Sequence, residues 1–454
     1  MNPEFRRNLW LELTPRRVAF MAGVLLLIFL AAALTGGGDS RPAAVAKYIY
    51  YFIVVLWGTR DAALSVVGEI RERTWDSQRL SSLGASEMVW GKLFGSTIYP
   101  WLGGAICLAM IFERKATHDG TVQAFVELIY MVAVGVISQA AALLASLIAI
   151  GRRQTHTRLE IFVYQIVGIF AALAVYNIWG MVDPARSRIA GQKAIDIIYW
   201  WSWQFDARPF LLVSLVVFAG WILVGCYRQM RLELKMRNGP LVWLAFLVFI
   251  GLYVAGFDAW LPAKFAIAGW DNIALRLALA TFTYGALTYA MVVLEPKDRV
   301  LYRWLLDEIS ARRLGSATGD AQAWMMSYIA AIVFAVLLLL RLAQSGSDVA
   351  TAQSLIVSAM AFLTRDVALF VLFLTLPGRR RGDVAVLVTL AALYLLVPAI
   401  FDGLHLTALL PFFYPRPSVP LWLGPIVVWI EAIAAVIIAL RRLALGGQPQ
   451  PAAA

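Results

Sequence analysis

Six ionisable residues stand inside runs that are otherwise apolar: Arg60, Asp61, Arg276, Arg365, Asp366 and Glu431. A charge at hydrocarbon depth is costly, so such residues pair with one another or line a path for an ion, a proton or a substrate. Both chemistries use the same residue types, and the spacing alone does not choose between them. Arg60 and Asp61 fall about 12 Å from the inner end of their run at roughly 1.5 Å per residue, so Arg60 can snorkel inward. Glu431 lies near the middle of its run, reaches neither interface and needs a partner, for which an arginine across the bundle is suited. Hydrolytic and metal chemistry leave little trace. His118, His156 and His405 are scattered without metal-ligand spacing. Cys107 and Cys226 sit in separate apolar runs that the topology below directs to opposite leaflets, so no disulfide is expected. The nearest approach to a P-loop, Gly84 to Gly91-Lys92-Leu93, has six residues between its glycines and a leucine where a hydroxyl must hold magnesium.

A second group of polar residues is concentrated in the connector from Gly68 to Leu93. Helical spacing places Trp75, Leu80, Leu83, Val89 and Trp90 loosely on one apolar side, with Glu72, Asp76, Arg79, Glu87 and Lys92 available to water. The pattern reads as a helix, a turn near Ser86 and re-entry into the membrane, and a plain solvated connector would show the same periodicity. A third group is aromatic. Between Pro184 and Arg208 the residues Tyr199, Trp200, Trp201 and Trp203 make a stretch too apolar for a solvated loop and too interrupted for a span. An interfacial or re-entrant element, or an aromatic belt at headgroup depth, fits it.

The elements that must position these residues are membrane helices. Hydrophobic residues make up 61% of the 454 and charged ones 15%, against about 45–50% and about 25% in globular proteins, and the mean hydropathy is +0.74. A soluble enzyme, a disordered chain and a disulfide scaffold are excluded. Reading for about 20 apolar residues per crossing predicts twelve spans, at 17–35, 45–68, 93–112, 122–150, 159–181, 208–227, 241–257, 272–295, 322–343, 350–377, 384–406 and 418–440. The first is too long for a signal-peptide core and is expected to stay in the protein. With both ends inside, 25 of the 39 Lys and Arg fall on the inner side, 11 outside and three within spans. That bias supports the orientation, so the net charge of +11 reports topology rather than nucleic-acid binding. The expected fold is all-α, a polytopic integral membrane protein of about 12 helices, N-in and C-in. Its parts are an N-terminal amphipathic interfacial helix (1–16), a six-span unit (17–227), a second six-span bundle (228–445) and a disordered tail (446–454). Loops of at most about 27 residues leave no room for a soluble catalytic domain.

The connector at 68–93 also resembles, in its wording, the permeases of ABC type-2 exporters. Those carry after the second span a charged run, Gly-Thr-Trp/Leu-Glu/Asp, leucines, a Pro-Leu-Ser-like turn and a Gly-Lys pair opening the third span. The matching residues are Glu72-Arg73, Thr74-Trp75-Asp76, Leu80, Leu83, Ser86-Glu87 and Gly91-Lys92-Leu93. Arg73 stands where the motif's glycine usually does, and Leu83-Gly84-Ala85 replaces the Pro-Leu turn. Asn2-Pro3-Glu4-Phe5-Arg6-Arg7 is similar to the family's opening before a basic amphipathic helix. The resemblance covers the six spans through 227 well and the remainder only loosely. It implies an ATPase-coupling segment at 69–92, with Trp75, Leu80 and Leu83 as anchors and Glu72, Asp76, Arg79 and Glu87 as orienting charges, and with Thr74 and Lys92 inside the motif. It implies a cytoplasmic P-loop ATPase as partner, so that ATP and Mg are bound there and no cofactor by this chain. It implies the bacterial inner membrane, short outer helices over the pathway near Tyr199 to Trp203, and either a homodimer or a fused pseudo-dimer. The second half lacks a good coupling segment, since Lys297, Arg299, Arg303, Asp307, Glu308, Arg312 and Arg313 come without Thr-Trp-Asp.

Two other readings stay open. An ion-coupled secondary transporter would also have twelve spans, although the central connection here is only about 13 residues. A polytopic lipid-modifying enzyme would need a convergent acid or metal site, for which Asp39, similar in place to the acid of lipid-dependent membrane glycosyltransferases, is a slender start. Two echoes, Leu11-Glu12-Leu13 with Leu232-Glu233-Leu234 and Thr59-Arg60-Asp61 with Thr364-Arg365-Asp366, have different offsets and define no single repeat.

Overall fold

The computed structural model describes residues 2–35, 40–151, 158–183, 193–236, 238–257, 270–295, 299–312, 321–344, 349–374, 382–417 and 420–445. The expected tail and the loop holding Asp39 lie outside the described residues. Ten described helices are long and apolar enough to cross a bilayer, and an eleventh crossing arises if a pair bent by 56° counts as one. The chain divides into two compact units, one made of 1–198 with 204–238 and the other of 199–203 with 239–454.

The first unit opens with α1 (Pro3–Glu12), which starts where Asn2 Oδ1 accepts from the Glu4 and Phe5 amides and Pro3 occupies the first turn. α2 (Pro15–Leu34) meets the bundle along Met21, Leu25 and Phe29, spaced by four, and its remaining apolar surface is left for lipid. α3 (Ser40–Tyr50) runs through a π turn (Tyr51–Trp57) into α4 (Gly58–Arg71), followed by the short α5 (Trp75–Arg79). The bent pair is α6 (Ala85–Trp90) with a π turn (Gly91–Gly95), then α7 (Ile98–His118). After it come α8 (Thr121–Gly151), α9 (Arg158–Val182) and α10 (Ala207–Glu233).

α8 is the axis of this unit, with 72% of its apolar stretch buried and α4, α7, α9 and α10 packed around it. Close approach needs glycine: a Cβ at Gly168 on α9 would stand 2.5 Å from the Ser138 carbonyl oxygen on α8. The π turn at Tyr51–Trp57 is held by polar side chains, because in hydrocarbon every carbonyl it frees must find a donor. Buried Gln139 donates to Val54 O at 2.9 Å and accepts from Trp101 Nε1 at 2.8 Å. Gln165 donates to Leu56 O at 2.8 Å, and Thr59 to Val55 O at 2.6 Å. Cys107 and Cys226 are both free and buried, as the span assignment requires.

The outer aromatic segment forms a β-hairpin, β1 (Ile197–Trp200) and β2 (Trp203–Asp206), and not the short helices that the resemblance implies. Residues 184–192 of that segment lie outside the described residues. The β-branched Ile197 and Ile198 and the aromatic Tyr199, Trp200, Trp203 and Phe205 favour strand, and Trp201 and Ser202 both take left-handed φ, 53° and 66°, as a two-residue type I′ turn demands.

In the second unit, α11 (Leu241–Ala255) is 15 residues long. At 1.5 Å per residue it covers about 22 Å, short of the roughly 30 Å core, so among the described residues this segment is not a full crossing by itself. The carbonyls at its end are met by indoles. Trp200 Nε1 donates to Tyr253 O at 3.0 Å and Trp201 Nε1 to Leu252 O at 3.1 Å. Next are α12 (Asn272–Leu294), α13 (Arg299–Ser310), α14 (Ala323–Gln344) and α15 (Ala350–Leu374). α16 (Gly382–Ala391) passes through a π turn (Ala392–Leu396) into α17 (Val397–Gly403), and α18 (Leu423–Leu445) ends the unit. α12 packs on α14 and α15 on α18. Asp271 caps α12 at the Ala274 amide, and hydrogen bonding to Arg341 holds its carboxyl below the usual carboxylate range.

Candidate functional site

The connector between α4 and the bent pair is built on a helix cap. α4 ends in a Schellman motif, with Thr74 N–H donating to Glu69 O at 2.9 Å and Arg73 N–H to Ile70 O at 3.2 Å. The reversing residue Arg73 has φ 59°, a left-handed conformation in which any Cβ is strained. That is the position where the motif's glycine usually stands, and the backbone explains why glycine suits it. Arg73→Gly is expected to raise stability in chemical unfolding by about 1 kcal/mol. Arg73→Ala, which keeps the Cβ, should bring no comparable gain, and equal effects would reject the strain argument.

Below this cap lies a buried ion cluster. Lys92, 1% exposed in the π turn after α6, donates to Glu4 Oε1 at 3.0 Å and pairs with Glu69. Arg7 reaches both carboxylates, at 2.9 Å to Glu4 and 2.8 Å to Glu69. Gln78 of α5 donates to Glu69 Oε1 at 2.5 Å, and the Lys92 ammonium stands 6.0 Å above the Trp75 ring. Asn2, the cap of α1, and Asn8 within it donate to Glu87 O and Gly91 O, and a side chain at Gly91 would overlap Glu4. One cluster therefore joins α1, the end of α4, α5 and the entrance of the bent pair.

This burial corrects two expectations. Lys92 is not solvated, because two carboxylates and the Trp75 ring replace its water. Trp75, 5% exposed, is no surface anchor, since it packs with Met88, Val89 and Leu143 in the unit's own core. Leu83 is half-buried, while Leu80 is 89% exposed. Glu72 and Thr74 are exposed, Arg79 pairs with Asp76 at 3.5 Å, and Glu87 accepts from the Gly84 amide at 3.0 Å to start α6.

The intramembrane charges separate. Arg365, Asp366 and Glu431 come together in the second unit. Asp366, 1% exposed, accepts from Arg365 Nε at 3.1 Å, Tyr289 OH at 2.8 Å and Tyr394 OH at 2.6 Å. Arg365 also bonds Glu431 Oε2 at 3.3 Å and lies 4.7 Å over the Phe362 ring. It is the arginine across the bundle that Glu431 needs, although the Glu431 side chain stays 47% exposed. Arg276 stands apart, 4.6 Å over the Trp201 ring at the hairpin tip. In the first unit Arg60 is exposed on α4, and Asp61 is half-buried with the Trp57 indole as its donor. Of the aromatics, Trp200 and Trp201 have the structural role given above, while Tyr199 and Trp203 are exposed.

Sequence reasoning missed Glu4, Glu69, Tyr289, Tyr394, Gln139 and Gln165. The only available signal was a polar residue in or beside an apolar run, which does not name its partner.

Fold and site define a multi-pass helical membrane protein. Comparison with protein-family models, characterised proteins and solved structures finds no match for the chain.

Proposed function

We propose that this chain is the membrane-spanning permease subunit of an ATP-driven exporter of the ABC type-2 kind, in a bacterial inner membrane with both ends in the cytoplasm. A separate P-loop ATPase binds ATP and Mg and works through residues 69–92. The supporting observation is the Lys92–Glu4–Glu69 cluster, which fastens that connector to α1, α4 and the bent pair. A push on α5 is then passed to membrane helices rather than absorbed by a loose loop. Leu80, exposed beside Asp76 and Arg79, offers an apolar contact flanked by charges that set register.

The test is gentle-detergent purification from native membranes with mass spectrometry for a stoichiometric P-loop ATPase. Leu80→Asp is expected to cut co-purification about tenfold or more, as for loss of an interface anchor, with normal membrane levels. Trp75→Ala is a poorer probe, because emptying a buried aromatic site costs about 3–5 kcal/mol by itself. Absence of any ATPase across several detergents would reject the exporter reading. The Arg365–Asp366–Glu431 centre favours the second reading, an ion-coupled transporter, which then takes its place.

A further inference from the structure

The second unit contains a cavity of about 360 Å³ between α13, α14, α15 and α18, within the roughly 300–1,000 Å³ of ligand sites. Leu306, Met325, Ile329, Val367, Ala368 and Leu440 are among its walls. Four side chains there carry polar hydrogens, and all are engaged elsewhere. Thr364 donates to Met360 O at 2.7 Å, which leaves Tyr328 to donate to Thr364 Oγ1, also at 2.7 Å. Tyr302 OH and Trp324 Nε1 both go to Gln322 Oε1, at 2.7 and 2.6 Å. Water entering the cavity would find no free donor on its walls, which are otherwise apolar, so the space suits an apolar occupant.

The rim adds a charge requirement. Arg303, next to Tyr302, bonds the Leu443 carbonyl through Nε at 3.0 Å, and Leu443 itself lines the cavity. That bond ties Arg303 to a wall residue of the cavity, and its amino nitrogens are unbonded among the described residues. Arg441 and Arg442 are exposed on the last turns of α18. Asp307 and Glu308 offset Arg299 and Arg303 on α13, so Arg441, Arg442 and Arg312 leave this end positive. α13 also exposes Val300, Trp304 and Ile309, the character of a helix lying at headgroup depth.

We propose that this cavity holds an acyl chain of an anionic membrane phospholipid, with its phosphate at Arg303. The site is independent of any ATPase partner. Basic pockets between membrane helices bind anionic headgroups, and the dry cavity supplies the tail contact that a free phosphate cannot use.

The experiment is native mass spectrometry of the purified full chain titrated with phosphatidylglycerol, phosphatidylcholine of equal chain length, and glycerol phosphate. The wild type should retain phosphatidylglycerol over phosphatidylcholine, and glycerol phosphate should not compete. Ala368→Phe fills the cavity and should weaken both lipids about tenfold, since each expelled methylene costs several-fold. Arg303→Gln, outside the core, should leave phosphatidylcholine unchanged and remove the preference for phosphatidylglycerol. A folded Ala368→Phe protein that retains lipid like the wild type overturns the proposal, as does an undiminished preference in Arg303→Gln. Equal competition by glycerol phosphate also overturns it, by assigning the site to free phosphate. If Ala368→Phe does not fold, Arg303→Gln and the glycerol phosphate arm decide.

Discussion

Replacing Lys92 by methionine is expected to destabilise the first unit by about 3 kcal/mol, at the lower end of what losing one member of a buried ion pair costs. The ammonium is enclosed by Glu4, Glu69 and the Trp75 ring. Its removal leaves two carboxylates near one another with Arg7 as their shared cation, and Arg7 is half-exposed. The loss should be read in chemical unfolding in mild detergent, together with faster proteolysis of α1, which then keeps Asn2 and Asn8 as its polar ties to the 87–91 stretch. Changing Glu4 and Glu69 to glutamine in the same protein should recover most of the loss, because neutral amides need no cation. Stability within about 0.5 kcal/mol of the wild type would mean the cluster is no lock. The mechanical part of the exporter proposal would then fail even if an ATPase binds.

Arg365→Leu should cost about 3–5 kcal/mol in the second unit, or prevent accumulation in the membrane. It leaves Asp366 with the hydroxyls of Tyr289 and Tyr394 but no cation, and Glu431 with no partner among the described residues. Asp366→Asn should be milder, since an amide oxygen still accepts from the tyrosines. Arg365→Leu combined with Asp366→Leu should be more stable than Arg365→Leu alone, because a buried pair replaced by apolar side chains removes the desolvation cost of both charges. If the double variant is the less stable one, Asp366 is held by its tyrosines and not by Arg365. Transport measured on the double variant separates the two functional readings: a merely structural pair leaves transport standing, and an ion-coupling centre does not.

Much of the molecule is legible in the sequence, and the limit falls at a physical boundary. The membrane spans are readable because a bilayer imposes a local demand, about 20 apolar residues on one contiguous segment, and eleven of the twelve expected segments are matched once the bent pair counts as one. The segment at 241–257 carries a described helix of only 15 residues, and the indoles that cap its end come from residues some fifty positions earlier. Likewise, the departure at Arg73 is visible in the sequence, and only the backbone reveals that the position is left-handed.

The two Thr-Arg-Asp triplets mark the same boundary. In each, the threonine hydroxyl bonds back to the carbonyl four residues earlier, Val55 in one and Met360 in the other, because that bond is local. The arginines part company: Arg60 is exposed, whereas Arg365 is buried among Asp366, Glu431 and the rings of Phe362 and Tyr394. Lys92, which helical periodicity places in water, is enclosed by residues from α1 and α4. The sequence by itself determined that this protein is a chain of membrane helices, because apolar length is a property of each segment alone. Tertiary structure decided which charges are buried and paired, since burial is set by neighbouring helices distant in sequence, and the cost of a charge depends on what surrounds it.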